Sequence, residues 1–261
     1  MEIVAFYKAF QGHEWIEASI ESIYNYVSKI VIFNTNINWS NQKDINTIKP
    51  VVEEWKKNND HLDKIMQIDF NSNDQTAQYV EGFKYIKQNF KHDFIMAIDT
   101  DEVWDDFNFT KAIQCMSNNP NVQVFHTDML TYVKSPFYRV DPPELCKPSV
   151  FYRNGDLYKH CRSHPPCNWI IMSDVLYHHF TYVRDNEDDI IKKIALCSAG
   201  EKLPSVDLNK WKIEKWDKLP NATNFHCDPA YTHSWQRCKV IDLNGLPFAV
   251  RNKPIVKKYM L

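Results

Sequence analysis

Asp99 and Asp101 stand two apart, with Glu102 next to them, where the apolar run Phe94-Ile95-Met96-Ala97-Ile98 ends. An unbroken apolar run of this length predicts a strand buried on both faces, as in a parallel sheet. Carboxylates at its carboxyl end fall where open α/β sheets bind ligands. Like charges this close are costly unless a cation joins them. A hard divalent ion with oxygen ligands is the usual partner, so Mn²⁺ or Mg²⁺ is the expected cofactor. If repulsion between the pair is stored as strain, removing Asp101 should raise stability rather than lower it.

The elements that must position these carboxylates follow from periodicity. A short buried strand is expected at Ile3–Phe6. A helix follows from about His13 to Val27, with Ile16, Ile20, Ile23, Tyr24 and Val27 on one face. Ile30–Phe33 is a second buried strand, closed by the turn formers Asn34-Thr35-Asn36. A helix around Val51–Lys57 and an alternating strand at Ile65, Gln67 and Asp69 come next. Asp74 is placed to cap a long helix whose inward face is Ala77, Val80, Phe83, Ile86 and Phe90. This alternation of strand and helix predicts an α/β fold with a mostly parallel central sheet flanked by helices.

The rhythm changes after Asp101. A helix near Thr110–Met116 and a strand at Val122–Asp128 are expected. Residues 133–148 are rich in Pro and aromatics and have no period. Extended segments at Ser149–Arg153 and Val175–Val183 flank an irregular loop, Lys159–Asn168, and Asn186 can cap a helix over Glu187–Cys197. The segment after Gly200 carries Trp211, Trp216 and Trp235 and is expected to wrap the rest. With no repeat and no low-complexity linker, one domain over 1–261 is expected: a first half (1–104), a second half (105–200) and a wrapping segment (201–261).

Composition narrows the function classes. The 261 residues are 44% hydrophobic and 25% charged, ordinary for a globular protein, and the formal net charge of −2 gives no basic footprint for nucleic acid. Only five glycines are present, too few to furnish a Gly-rich phosphate loop. Seven cysteines with no CxxC pair argue against a disulfide framework or a zinc knuckle and for reduced, mostly buried thiols. No signal-peptide pattern and no apolar run of membrane-spanning length occur, so a cytoplasmic location, in a cell or an infected host, is expected.

Several segments together resemble glycosyltransferases of the GT-A fold, family 2-like members in particular. These are Ala5-Phe6-Tyr7-Lys8, His13-Glu14-Trp15-Ile16-Glu17, Lys29-Ile30-Val31-Ile32-Phe33-Asn34, the Asp99-Thr100-Asp101 match to the DxD motif, and His179-Phe180-Thr181-Tyr182-Val183-Arg184 followed by Lys192-Lys193. The resemblance covers about residues 1–200. It implies metal-dependent transfer of a sugar from a nucleoside-diphosphate donor, a UDP-sugar first, to a glycan or other hydroxyl acceptor. A modified DNA base is the alternative acceptor, which the charge does not indicate. It further implies metal contacts from Asp101, Asp99 and His179, and donor contacts from Phe6, Lys8, Glu14, Asn34, Asp99 and Arg184. The sequence departs from the family at Asn34, where an Asp is usual, at Asn36-Ile37-Asn38-Trp39, and at His164, followed by Pro165-Pro166 instead of an acid.

Strand alternation sends His178 and His179 to opposite faces, so only one of them can meet the metal. Asp128, Glu144 and Asp156 are candidate general bases, and His164 belongs to the loop expected to face the acceptor. Trp15, Trp104 and Trp169 could stack on a sugar, though a buried Trp is more often core. Two other classes fit parts of the pattern. The strand ending in Asp99-Thr100-Asp101-Glu102-Val103 matches a haloacid-dehalogenase phosphatase signature, with Asp99 as nucleophile and Asp101 as acid/base. A non-catalytic sugar-binding scaffold would keep the fold without the chemistry.

Overall fold

In the order β1 (Ile3–Ala9), α1 (His13–Ile23), β2 (Lys29–Asn34), α2 (Ile48–Asn59), β3 (Ile65–Asp69), α3 (Gln75–Asn89) and β4 (Phe94–Ile98), strand and helix alternate as the periodicity predicts. The computed structural model describes residues 1–37, 46–72, 74–153, 162, 164–196, 207–227 and 235–260. The four strands pair in parallel in the order β3-β2-β1-β4. All five residues of β4 are buried, which explains its unbroken apolar sequence: both faces carry cover. On one face Ile16, Ile20 and Ile23 of α1 pack with Tyr7, Met96 and Ile98. On the other, Tyr79, Phe83 and Ile86 of α3 pack with Phe6, Phe33 and Ala97.

Asp74 caps α3 as expected, accepting from the backbone N–H of Thr76 and Ala77. The inward face of α3 is rotated from the expected one. Val80 is exposed, and Tyr79 takes a core position in its place. Gly82 makes the close approach of α3 to β1 possible, because a Cβ there would lie 2.1 Å from two ring atoms of Phe6. Gly82→Ala is therefore expected to cost about 1–3 kcal/mol by overpacking, readable as a fall in thermal midpoint. The helix-propensity gain of alanine, about 1 kcal/mol, offsets only part of that clash.

The second half is mixed. β5 (Glu102–Val103) and α4 (Asp106–Asn118) precede β6 (Val124–Val133), β7 (Tyr138–Asp141), β8 (Ser149–Tyr152) and β9 (Trp169–Tyr182). After these come α5 (Glu187–Leu196), α6 (Leu208–Glu214), β10 (Arg237–Val240), α7 (Phe248–Arg251) and α8 (Pro254–Lys258). β8 joins β4 antiparallel and carries the sheet on to β6, β7 and β10. β7 falls inside the aperiodic stretch where no element is expected from sequence. Trp211, Trp216 and Trp235 are buried with Val133, Val140 and Ile190, so the late tryptophans do pack onto earlier elements. Among the five described cysteines, all free thiols, only Cys227 is buried, which corrects the expectation of mostly buried thiols. No helix among the described residues is long and apolar enough to cross a membrane.

A charged cluster at the carboxyl end of strand β4

The two-residue strand β5 sets the geometry. Immediately after Asp101 the chain pairs with β9, Glu102 opposite His179 and Val103 opposite His178. That pairing lays His179 beside Asp101, with Nε2 3.5 Å from Oδ1. Alternation sends His178 the other way, where its ring meets Asp105 at 3.6 Å and the Tyr132 hydroxyl at 2.7 Å. The two histidines thus do different things, as period two requires.

The carboxylates are held by basic side chains of the same chain. Asp99 meets Lys8 Nζ at 3.0 Å and Arg162 at 3.6 Å, and accepts from the Tyr79 hydroxyl at 3.2 Å. Asp101 Oδ2 accepts from Arg184 at 2.8 Å and Lys193 at 3.1 Å. Glu102 takes Arg162 at 2.6 Å, and Glu14 takes Arg184 at 3.2 Å. Lys8, Arg162, Arg184 and Lys193 thus stand against Asp99, Asp101, Glu102 and Glu14, cation for carboxylate. Burial pushes the Asp99 carboxyl up, but Lys8 and Arg162 outweigh it and hold the group below the usual range. Asp101 is likewise held low against burial by Lys193, His179 and Arg184. Burial pushes the Lys193 ammonium down to about 8, with Asp101 opposing.

Packing fixes these side chains. Trp15 of α1 stacks on Phe180 at 4.2 Å and donates to the Val183 carbonyl, which anchors the end of β9 just before Arg184. Gly12, at φ +112°, lies so close to Arg184 and Thr100 that a Cβ would sit 2.8 Å from a polar atom of each. Only glycine satisfies both the backbone and the space at that turn.

The expected site residues divide. Lys8, Glu14, Asp99, Asp101, His179 and Arg184 come together at this cluster. Asn34 ends β2 buried, donating to Gln67 at 2.9 Å. Phe6 is corrected: its ring is enclosed by Phe33, Tyr79, Phe83 and Gly82 with no exposed surface for a donor. Asp128 on β6 is ion-paired with Lys147. Glu144 accepts from the Trp235 indole. Asp156 lies outside the described residues. Trp15 and Trp104 are core, whereas Trp169 is 50% exposed beside His126 and His164. Arg162 and Tyr79 were not expected. Arg162 sits in a loop without period, and Tyr79 is one place off the assumed face of α3.

As a metal site the cluster is partly formed. Two ligands of one octahedral ion lie about 3 Å apart for bonds near 2.1 Å, close to the separation of Asp101 Oδ1 and His179 Nε2. His179 Nδ1, on the side of the ring away from Asp101, is buried without a hydrogen-bond partner among the described residues. Asp99 does not join them. Among the described residues, the trio whose ligand atoms gather within 4.8 Å is His13, Glu14 and Asp185, at the rim.

No protein-family model matches the chain, and no curated protein sequence matches it. Among solved structures it is similar to the Pyrobaculum calidifontis mannosyltransferase PcManGT in complex with GDP-Man and Mn²⁺. The identity is 10%, over 71% of this chain and 58% of that one, with a TM-score of 0.46. It is also similar to S. aureus TarS 1-349 in complex with UDP-GlcNAc, at 12% identity over 75% and 66% with a TM-score of 0.48. The chain covers less than two thirds of either structure. At such identities and TM-scores a likeness carries no function across, and the functional reading stands on the residues themselves.

Proposed function

We propose that this protein is a glycosyltransferase that moves a sugar from a nucleoside-diphosphate donor to a hydroxyl on a glycan acceptor. What supports it is the balanced cation–carboxylate cluster at the carboxyl end of β4. A site that binds only a cation has no use for Lys8, Arg162, Arg184 and Lys193. A site that binds only an anion has no use for buried Asp99 and Asp101. Both together suit a polyanion that arrives with a divalent ion. Asp101 and His179 would hold that ion, which when bound neutralises charge growing on the leaving diphosphate. Occupying Asp101 frees Arg184 and Lys193 to turn toward phosphate oxygens, and Lys8 and Arg162 flank the same group from Asp99. The ion and the donor should therefore bind with positive coupling, since either alone unbalances the cluster.

A phosphatase reading has less support. Asp99, its nucleophile, is engaged by Lys8, Arg162 and Tyr79. The test is donor hydrolysis and transfer with UDP-, GDP- and TDP-sugars, with and without Mn²⁺. Release of nucleoside diphosphate from one donor, lost with chelator, is expected. Inertness toward every donor would overturn the transferase reading. Full activity in excess chelator, with metal shown absent by elemental analysis, would remove the ion alone.

A further inference from the structure

A second cluster lies at β6, an interior strand of the same sheet. His126 of β6 is paired with Ser149 of β8, which continues from β4, and the His126 ring faces His164. The hydrogen bonds fix both tautomers. His126 Nδ1 is 2.8 Å from the Lys147 carbonyl oxygen, and His164 Nδ1 is 2.9 Å from that of Pro165. A carbonyl oxygen only accepts, so each Nδ1 carries the proton. In a neutral ring the other nitrogen is then a bare lone pair. The two Nε2 atoms nevertheless face each other at 3.1 Å. Two lone pairs at that distance repel unless something positive lies between them.

We propose that His126 and His164 form a two-nitrogen site for a borderline divalent transition metal such as Zn²⁺, separate from the carboxylate cluster. Two Zn–N bonds of about 2.0–2.1 Å place their nitrogens about 3.1–3.4 Å apart at angles near tetrahedral. Each ring donates its other N–H to a backbone carbonyl, the arrangement that orients metal-binding histidines. Imidazole nitrogens favour Zn²⁺ over the harder ions suited to Asp101.

Neighbouring groups do not remove the conflict. The Ser149 hydroxyl is 3.2 Å from both ring nitrogens of His126, so it is not aligned on the Nε2 lone pair. Cys167 Sγ is 3.3 Å from His164 Nδ1, the far side of that ring. A thiol proton there would set the Pro165 oxygen against a second lone pair. A shared proton is the other positive occupant. With two protein ligands the ion keeps positions open to water, and it ties the loop carrying His164 to β6.

Calorimetric titration of Zn²⁺ into the full chain, stripped of metal and then saturated with Mn²⁺, tests the site. Because Zn²⁺ can displace Mn²⁺ from Asp101 and His179, the site is the equivalent of zinc that Asp101→Asn retains. His126→Gln and His164→Gln should each weaken it more than tenfold, since losing even a group that only orients a metal-binding histidine costs about 10–100-fold. Asp101→Asn should leave it unchanged. No such equivalent, or one that both histidine variants retain, overturns the site. Nitrogen-15 spectra of the wild-type imidazoles cover the case of a variant that fails to fold. Zn²⁺ should shift both Nε2 signals while both Nδ1 protons persist, whereas one proton shared between the Nε2 atoms and no response to Zn²⁺ overturns the proposal. Neither result bears on the transferase reading, which rests on other residues.

Discussion

Asp101→Ala is expected to abolish sugar transfer and to lower the melting temperature. A stabilising effect would follow from repulsion between Asp99 and Asp101 considered by itself. The structure changes the sign. Asp101 is buried and accepts from Arg184 and Lys193, so its removal strands cations where there was balance. Arg184 keeps Glu14, and Lys193 keeps the Thr181 carbonyl, so the loss is smaller than for a fully orphaned charge. A cost of about 2 kcal/mol, nearer the charged-hydrogen-bond range than a broken buried pair, is expected. Transfer should fall by about 10²–10³-fold or more, the scale of losing one electrostatic contact to a developing anion. Steady-state kinetics and a thermal melt on one preparation check both. Activity at the wild-type level would take Asp101 out of the transfer chemistry. Covalent phosphate on Asp99 would move it to the phosphatase reading.

How much was legible in the sequence depends on how local each cause is. The alternation from β1 to β4 was readable because each element carries its own period, and Asp74 announced a cap three residues before the helix face begins. Asp99 and Asp101 were readable because an apolar strand delivers them. Alternation said only that one of His178 and His179 could face the site, and the resemblance pointed to His179; the pairing of β5 with β9 lays His179 beside Asp101. The second half was harder. β5 and β7 are too short to show a period, and β9 begins six residues before its expected start because Trp169 and Ile171 are exposed and break the apolar pattern. Arg162 was not legible at all. Its position is set by Glu102, sixty residues away in sequence, and nothing local marks it. The same holds for His126, which matters only through what His164 does beside it. Phe6 was misassigned for the opposite reason: it shares a face of β1 with Lys8, two residues on, but lies one step deeper in the sheet, where Phe33, Tyr79 and Phe83 cover its ring.

Arg162→Ala should be among the most destabilising single changes in this chain. The guanidinium is buried, 8% exposed, and donates to Glu102 at 2.6 Å with Asp99 3.6 Å away. Glu102 itself is 2% exposed. Removing the arginine leaves that carboxylate buried with the Asp99 backbone N–H, at 3.1 Å, and the Tyr177 hydroxyl as donors but no cation. Breaking a buried pair from one side costs about 3–5 kcal/mol, because the remaining charge loses its partner without regaining water. For a chain of this size that is a fall of roughly 10 °C. The penalty should come from the stranded charge and not from lost packing, and a double-mutant cycle separates the two. Arg162→Met with Glu102→Gln removes both charges while keeping most of the volume, so it should recover much of the loss. Recovery of stability need not bring recovery of function, because the cation beside Asp99 is gone in both variants. Donor affinity should stay low in the double variant while the melting temperature returns. A double variant no more stable than Arg162→Ala would show that Arg162 acts through packing or through Tyr177, whose hydroxyl it meets at 3.3 Å, and not through Glu102.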